Sequence, residues 1–321
     1  MIWNTRVTDM LKIQYPILQG GLAYLAYAEL AAAVSNAGGF GQITAMSLPD
    51  VQALRWELRR ARALTDKPFG VNLSIGMHRN DHLQMVQAVM EEEIPAVTIS
   101  GGNPAPILEM LGSTPIHTLV LVSSRTQAQK AEQHGASAVI VVGHEGGGHV
   151  GRDETGTIVL VPDVADAVRI PVIASGGIGD GRGWMAAHAL GAEGILMGTR
   201  FIATRECVNA SPVYKNALLE AGCADSVILK RSIGQPARAL RSHLTEKFLT
   251  SELAAPGHEA LKREISGEAN QRLIHDGSIE EGFGWAGQVT GLIKDVPTVS
   301  CLIERMVQEA EQIRYKWGSL S

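Results

Sequence analysis

A regular alternation of apolar runs and helix-like segments is the feature that most constrains how this chain can fold. Eight such runs recur through the first 205 residues, and they are apolar along their whole length rather than at every second position. Strands that are buried on both faces of a parallel sheet have this composition. The pattern predicts an α/β fold of the TIM (β/α)8 barrel type, with a doubly wound open sheet as the competing architecture.

The alternation ends after Phe201, and the composition changes further along the chain. Residues 236–284 are rich in charged residues and helix formers, and their pattern favours helices rather than strands. We therefore expect a barrel made of residues 1–235 and 285–321. Residues 236–284 would form a smaller helical insertion that covers the active site.

Composition and charge exclude several classes of function. The net charge of −5 and the pI of about 6.1 argue against nucleic acid and anionic membranes as partners. No apolar run approaches the roughly 20 residues that span a bilayer, and the N-terminus lacks the apolar core of a signal peptide. Three scattered cysteines, Cys207, Cys223 and Cys301, fit a reduced cytoplasmic setting.

Residues 143–151, here called the glycine loop, read GHEGGGHVG and follow directly after a buried-strand pattern. Three consecutive glycines are costly in backbone entropy, and they suit a backbone that lies flat against a planar cofactor ring. His149 can move a proton near neutral pH and is the candidate catalytic base. A histidine that only caps a backbone carbonyl is the alternative, and His144 is assigned a structural or supporting role.

The string HEGGGH within this loop resembles a zinc motif but lacks the spacing of one. A HExxH site needs two histidines four residues apart on one face of a helix. Here His144 and His149 are five apart, and the glycines between them oppose a helix. We therefore predict no metal site.

Two further glycine turns follow the seventh and eighth predicted strands. In barrels these positions commonly bind a phosphate through backbone N–H groups. The glycines allow close approach, and a threonine hydroxyl adds a donor. The alternative is that the glycines only make tight turns between strand and helix. The candidate residues are Ser175, Gly176, Gly177, Met197, Gly198 and Thr199.

Short polar residues end three other strands. Gln19 ends the first strand and is followed by Gly20 and Gly21, while Asn72 and Ser100 end the third and fourth. The carboxyl ends of parallel strands meet at one rim of a barrel, where polar groups could face the nitrogen and oxygen edges of a flavin. We assign these five residues to cofactor binding.

Seven segments, in order through almost the whole chain, carry a likeness to known proteins. They read ILQGGL (17–22), ELAAAVSNAGGFG (29–41), GVNLS (70–74), HEGGGHVG (144–151), PVIASGGIGDGRG (171–183), ALGAEGILMGTRF (189–201) and AGQVTGLI (286–293). With these segments the chain resembles the nitronate monooxygenase family, formerly called 2-nitropropane dioxygenases. The same family contains flavin-dependent enoyl-acyl-carrier-protein (enoyl-ACP) reductases.

The resemblance implies a barrel with a smaller helical domain and a non-covalently bound FMN. His149 stands at the position of the family's catalytic histidine. Gly147 and Gly148 match backbone contacts to the flavin. The residues that match the phosphate site are Gly177, Gly198 and Thr199.

Two positions depart from the pattern of bacterial nitronate monooxygenases. Those enzymes carry a second histidine early in the helix after the fifth strand, where this chain has Gln127. They also tend to place a lysine on the fifth strand, where this chain has Leu121. Both differences lean toward the reductase branch.

The first hypothesis for the function is nitronate monooxygenase activity, in which alkyl nitronates or nitroalkanes are oxidised with O2. The alternative is reduction of an enoyl-ACP or enoyl-CoA thioester with NAD(P)H as co-substrate. A flavin-binding protein without efficient turnover is a third interpretation. The oligomeric state, including a homodimer, stays open.

Overall fold

The computed structural model of the chain describes residues 3–76, 82–254, 261 and 265–319. Part of the predicted insertion, residues 255–260 and 262–264, therefore lies outside the described residues. The strands are β1 (Ile17–Gln19), β2 (Gly41–Thr44), β3 (Phe69–Ser74), β4 (Ala96–Ser100), β5 (His117–Val122), β6 (Ala138–Val142), β7 (Gly148–His149), β8 (Val172–Ser175), β9 (Gly194–Met197), β10 (Ser226–Leu229) and β11 (Ala237–Leu240).

Helices follow most of these strands, and several of them cover the outside of the main sheet. They are α1 (Arg6–Leu11), α2 (Ala28–Asn36), α3 (Val51–Leu64), α4 (His82–Glu91), α5 (Ala105–Leu111), α6 (Arg125–Gln133), α7 (Thr157–Ala165), α8 (Gly181–Ala189), α9 (Thr199–Ile202), α10 (Pro212–Glu220), α11 (His243–Leu253), α12 (Gly267–Ile274) and α13 (Val299–Gly318). No helix within the described ranges combines the length and the apolar character needed to cross a bilayer.

Eight parallel strands form the main sheet, in the order β1-β9-β8-β6-β5-β4-β3-β2. A parallel bridge between Leu18 and Phe40 joins the two ends of this order. There the Gln19 N–H donates to the Phe40 carbonyl at 3.0 Å, and the Phe40 N–H donates to the Ile17 carbonyl at 2.9 Å. The sheet closes on itself, so the predicted TIM barrel is confirmed and the open-sheet alternative is wrong.

Two layers of apolar side chains hold the barrel together. One layer fills the interior of the sheet with residues such as Leu18, Phe40 and Ile140, and α1 adds Val7 and Leu11 to it. The other layer lies between the strands and the surrounding helices. Because both faces of each strand are covered, the strands are apolar along their whole length, as the sequence pattern indicates.

A second, three-stranded antiparallel sheet stands beside the barrel, in the order β10-β11-β7. We call it the small sheet. Its strand β11 corrects the sequence analysis, which predicted helix rather than strand after residue 236. The apolar residues Val227, Leu229 and Ala239 cover one face and pack with Phe248 of α11 and with Phe283. The predicted domain limits and the covering role of residues 236–284 stay predictions.

Candidate active site at the barrel mouth

The carboxyl ends of the eight strands form the mouth of the barrel, and the predicted cofactor residues lie around it. Gln19 and Met197 are register partners in the pair β1–β9, and the Gly20 N–H donates to the Met197 carbonyl at 2.8 Å. Ser175 ends β8, and Ser100 ends β4. The strand topology therefore brings together residues that are far apart in the sequence.

A chain of buried side chains supports one half of this rim. The Gln42 Nε2 donates to the Gln19 carbonyl at 2.5 Å, and the Thr98 hydroxyl donates to Gln42 Oε1 at 2.5 Å. Asn72 Nδ2 in turn donates to the Thr98 hydroxyl at 2.9 Å. Gln42 and Thr98 were missed by the sequence analysis, and their signal was a polar residue inside an otherwise apolar strand.

This chain of hydrogen bonds fixes which way the Asn72 amide points. Its nitrogen is engaged by Thr98, so its oxygen is left as an acceptor at the rim. A Cβ added to Gly21 would come within 2.3 Å of Asn72 Oδ1, so a larger residue at position 21 would push the amide aside.

Hydrogen bonds on both sides hold the glycine loop in place. The Glu145 carboxylate accepts from the Thr157 N–H at 3.0 and 2.9 Å and from the Thr157 hydroxyl at 2.9 Å, which caps α7. The Glu145 carbonyl accepts from the Gln288 N–H at 2.9 Å. On the other side, a Cβ on Gly147 would lie 2.7 Å from the Gly287 nitrogen. Glu145, part of the false zinc motif, is therefore a support for the loop.

Three features of the mouth fit a phosphorylated planar cofactor such as FMN. Gly148 has φ +74°, and a Cβ there would meet nothing within 4 Å, so one face of the loop is open. Gly176 and Gly177 have φ +99° and +74°, and among the described residues their N–H groups donate no hydrogen bond. The Thr199 hydroxyl accepts from the Gly287 N–H at 3.0 Å and keeps its own hydrogen to donate.

His149 lies at the edge of the small sheet, in register with Ala237. Its ring is 6.0 Å from the Trp285 ring, and the Lys230 ammonium is 5.5 Å from the same indole. His149 is an exposed residue, and the protein atoms near its ring remove part of the ring's hydration. Desolvation there lowers the pKa of His149, and the positive charge of Lys230 lowers that pKa further. The ring is therefore neutral at neutral pH, which is the form of a base.

Trp285 and Lys230 were missed by the sequence analysis, because nothing local links them to the glycine loop. They reach His149 through the small sheet. The His144 carbonyl accepts from Arg238 Nε at 3.1 Å, and the supporting role expected of the His144 side chain stays a prediction. Within the described ranges, no group of three His, Cys, Asp or Glu side chains is arranged to hold a metal.

By the family resemblance, Gln127 stands where bacterial nitronate monooxygenases carry a second histidine. Its side chain lies against the turn that precedes its own helix, α6. Its Oε1 accepts from the Ser123 N–H at 2.7 Å and lies 3.2 Å from the Ser123 hydroxyl. A Cβ on Gly151 would lie 2.8 Å from Ser123 Cβ, so this turn packs against the glycine loop. The position therefore supplies a structural amide and no second base.

Comparisons with known proteins show the family of the chain and support its fold. The family model described as nitronate monooxygenase matches residues 4–83 and 75–309. A "Probable nitronate monooxygenase" of Staphylococcus saprophyticus is 31% identical, over 97% of this chain and 98% of that protein. A "(3aS,4S,5R,7aS)-5-hydroxy-7a-methyl-1-oxo-octahydro-1H-indene-4-carboxyl-CoA dehydrogenase" of Rhodococcus jostii is 31% identical over 96% of each chain. The solved structure of FabK from Thermotoga maritima is 39% identical with a TM-score of 0.93, covering 99% of both chains.

Proposed function

The chain belongs to the nitronate monooxygenase family of oxidoreductases, and on that premise we propose that it reduces enoyl thioesters with NAD(P)H, using FMN. The observation that carries the proposal is Gln127, which takes the position of a second catalytic histidine. Its side chain accepts a hydrogen bond from the Ser123 N–H. The likeness to FabK over the whole chain supports it. The CoA thioester in the name of the Rhodococcus relative supports a thioester substrate.

The residues of the mouth divide the work of holding the cofactor. The N–H groups of Gly176, Gly177 and Gly198, with the Thr199 hydroxyl, would hold the phosphate of FMN. The open backbone face at Gly148 would lie against the ring. When bound, FMN would supply the hydride chemistry that connects NAD(P)H with the β-carbon of the enoyl thioester.

We assign His149 to the position beside the reacting atoms. As a neutral imidazole it offers one N–H donor and one nitrogen acceptor. We assign the N–H to the thioester carbonyl oxygen, where negative charge develops, and the same ring relays the proton that the α-carbon takes up. The Lys230 ammonium adds positive charge on that side, which stabilises the developing charge.

Anaerobic stopped-flow spectroscopy tests this function directly. The FMN-loaded protein is mixed with NADH or NADPH, and the flavin absorbance is followed with and without a short enoyl-CoA. We expect rapid bleaching by one of the nucleotides and rapid recovery of colour when the enoyl-CoA is added. No bleaching within minutes would overturn the proposal.

Oxidation of nitronates by O2 is the second candidate, favoured by the match of the family model and by the Staphylococcus relative. In that reaction the neutral His149 ring would remove the proton from the carbon next to a nitro group. His149→Ala would then lose activity on neutral nitroalkanes and keep more of it on preformed nitronates. Equal losses on both substrates would refute the role as base.

A further inference from the structure

A polar cavity of about 270 Å³ lies beside the glycine loop, lined by His144, Ser226, Arg231 and Arg238 among others. Arg238 is the register partner of Gly148, one residue before His149. Because neighbouring residues of a strand point to opposite faces, the cavity is across the small sheet from the His149 ring. The strand β7 between them is only two residues long and forms the edge of the sheet.

Arg238 is a buried cation without a carboxylate partner, and its residue is only 4% exposed. Its guanidinium donates to the His144 carbonyl at 3.1 and 3.0 Å and to the Ser226 hydroxyl at 3.1 Å. It forms no ion pair within the described part of the chain. Two of its five N–H groups remain available. A buried charge is normally paired, so an unpaired one points to an anion supplied from outside.

His144 provides a second, independent sign at the same place. Its Nδ1 is buried and has no hydrogen-bond partner among the described atoms, although buried polar atoms are nearly always satisfied. The ring lines the same cavity as Arg238. In the tautomer that carries the proton on Nδ1, a ligand with several acceptor oxygens would accept from both His144 and Arg238.

The second cation of the cavity, Arg231, is exposed. Its Nε donates to Glu154 Oε1 at 2.7 Å, so part of its charge is balanced. The other nearby carboxylate, Glu145, is engaged by Thr157. The lining residues of the cavity include two guanidinium groups and no carboxylate, so the lining itself favours an anion.

We propose that this cavity binds a phosphate group of the co-substrate, which extends from the mouth around the edge of β7. The proposal rests on the proposed function, since it takes the phosphate to belong to a nicotinamide dinucleotide or to coenzyme A. Both molecules carry phosphates several bonds away from the reacting atom. The shared chemistry is a phosphate ester held by a guanidinium fork, a hydroxyl and an imidazole.

Isothermal titration calorimetry of the FMN-loaded protein tests the cavity apart from catalysis. The probes are adenosine 2′,5′-bisphosphate for NADPH, ADP for NADH and adenosine 3′,5′-bisphosphate for coenzyme A. We expect at least one probe to bind, with affinity that falls as salt is added. The probe that binds most tightly identifies the source of the phosphate. No binding of any probe at millimolar concentration would overturn the proposal.

Charge variants then place the binding in this cavity. Arg231→Gln should weaken the probe about tenfold or more, because it removes a charge-assisted hydrogen bond. Glu154→Gln should tighten the probe a few-fold, about as much as removing one nearby like charge allows. The matched control is Arg241→Gln, an exposed arginine paired with Glu246 outside the cavity, and it should change nothing. Equal affinities in all three variants would refute the assignment.

Arg238→Lys keeps the buried positive charge but loses the planar set of guanidinium donors. It should also weaken binding of the probe. If that variant fails to fold, the two exposed variants still decide the outcome. Flavin bleaching by NAD(P)H is measured on the same samples. Flavin bleaching without probe binding would refute the phosphate site in the cavity and leave the reductase function supported. Probe binding without flavin bleaching would support the phosphate site and refute the reductase function.

Discussion

The barrel rim and the small sheet both border His149, but they present different chemistry to a ligand. The rim offers backbone N–H groups and neutral amides, and the chain from Gln19 through Gln42 to Asn72 gives its buried side chains partners. The small sheet offers a buried cation, Arg238, which forms no ion pair with a described carboxylate, and beside it lies the neutral ring of His144, whose Nδ1 has no partner among the described residues. Under the proposed function, the rim would hold the resident cofactor.

The difference teaches how the two halves of such a site divide their tasks. The polar side chains of the rim have hydrogen-bond partners within the protein, so the rim holds one geometry without a ligand. Such a rim suits a group that stays bound. A cleft with unsatisfied donors is stabilised only when a ligand arrives, which suits a molecule that enters and leaves. Variants in the rim or in the small sheet therefore show whether a change in one affects the other.

The largest effect is expected from the residue that joins the two halves. His149→Ala should lower the rate of the chemical step by roughly 10²–10⁴-fold, because the group beside the reacting atoms is lost. Flavin absorbance per protein and thermal stability should stay near those of the natural chain. Steady-state kinetics and the visible spectrum are measured together.

The control for this variant is His134→Ala, which truncates an exposed histidine at the end of α6. It should leave the rate unchanged. If His149→Ala loses its flavin as well as its rate, the histidine belongs to the rim and the division between the two halves is wrong.

The second effect concerns the rim alone. Gly176→Ala places a side chain at φ +99°, with its Cβ 2.9 Å from the Gly143 carbonyl and 3.0 Å from the Thr157 hydroxyl. A left-handed conformation costs a non-glycine residue about 1–2 kcal/mol, and relief of the collision would move the phosphate turn. We expect FMN to bind about tenfold more weakly or worse, as read by flavin fluorescence titration.

Gly135→Ala is the matched control, because it carries the same backbone penalty at φ +85° with nothing within 4 Å of the new Cβ. It should lose a similar amount of stability and keep normal FMN affinity. If both variants lose FMN alike, global stability rather than the phosphate turn decides cofactor binding.

The barrel could be predicted from the sequence because its information is local. Each strand is an apolar run such as 138–142, and its partner is the next run along the chain. The closing pair and the rim then follow from geometry, since parallel strands end on one side. What could not be predicted were Gln42 and Thr98, whose role depends on which strands are neighbours in the closed sheet.

The small sheet could not be predicted for the opposite reason. Strand β7 is two residues long and glycine-rich, and it is a strand only because Ala237 and Arg238 pair with it. The strand β11, reading ARAL, is short and contains an arginine, so no apolar alternation marks it. Contacts between residues so far apart override local propensity, which is why this region was expected to be helical.

The third prediction measures how much the buried chain of hydrogen bonds stabilises the rim. Thr98→Val keeps the shape of the side chain but leaves Gln42 Oε1 without its partner and Asn72 Nδ2 with only the 3.5 Å contact to the Ser100 hydroxyl. Each group left unsatisfied in the interior costs about 1–3 kcal/mol of unfolding free energy. Urea denaturation of Thr98→Val, Gln42→Leu and the double variant gives the coupling between them. Additive losses would mean that the chain does not act as a unit.

The smallest expected effect is the loss of folding stability in acid. Most of this loss should come from the histidines in and beside the small sheet. Desolvation lowers the pKa of His149 and of His144, and it also lowers the pKa of His117 at the start of β5. Below the ordinary histidine pKa of about 6.5, the unfolded chain binds protons that the folded chain still refuses. Stability is therefore full above about pH 6.5, falls as the pH drops, and levels off once the folded pKa values are passed.

Urea midpoints at pH 7.5 and 5.5 compare the two halves directly. The double variant His144→Gln/His149→Gln should lose less stability between these pH values than the natural chain does, because two of the three contributions are gone. His117→Gln removes only the barrel contribution and should flatten the response less. If His117→Gln reduces the pH dependence of stability more than the double variant does, the histidine that links folding to pH is the one on the barrel. The low-pKa histidines of the mouth would then affect reactivity without affecting folding.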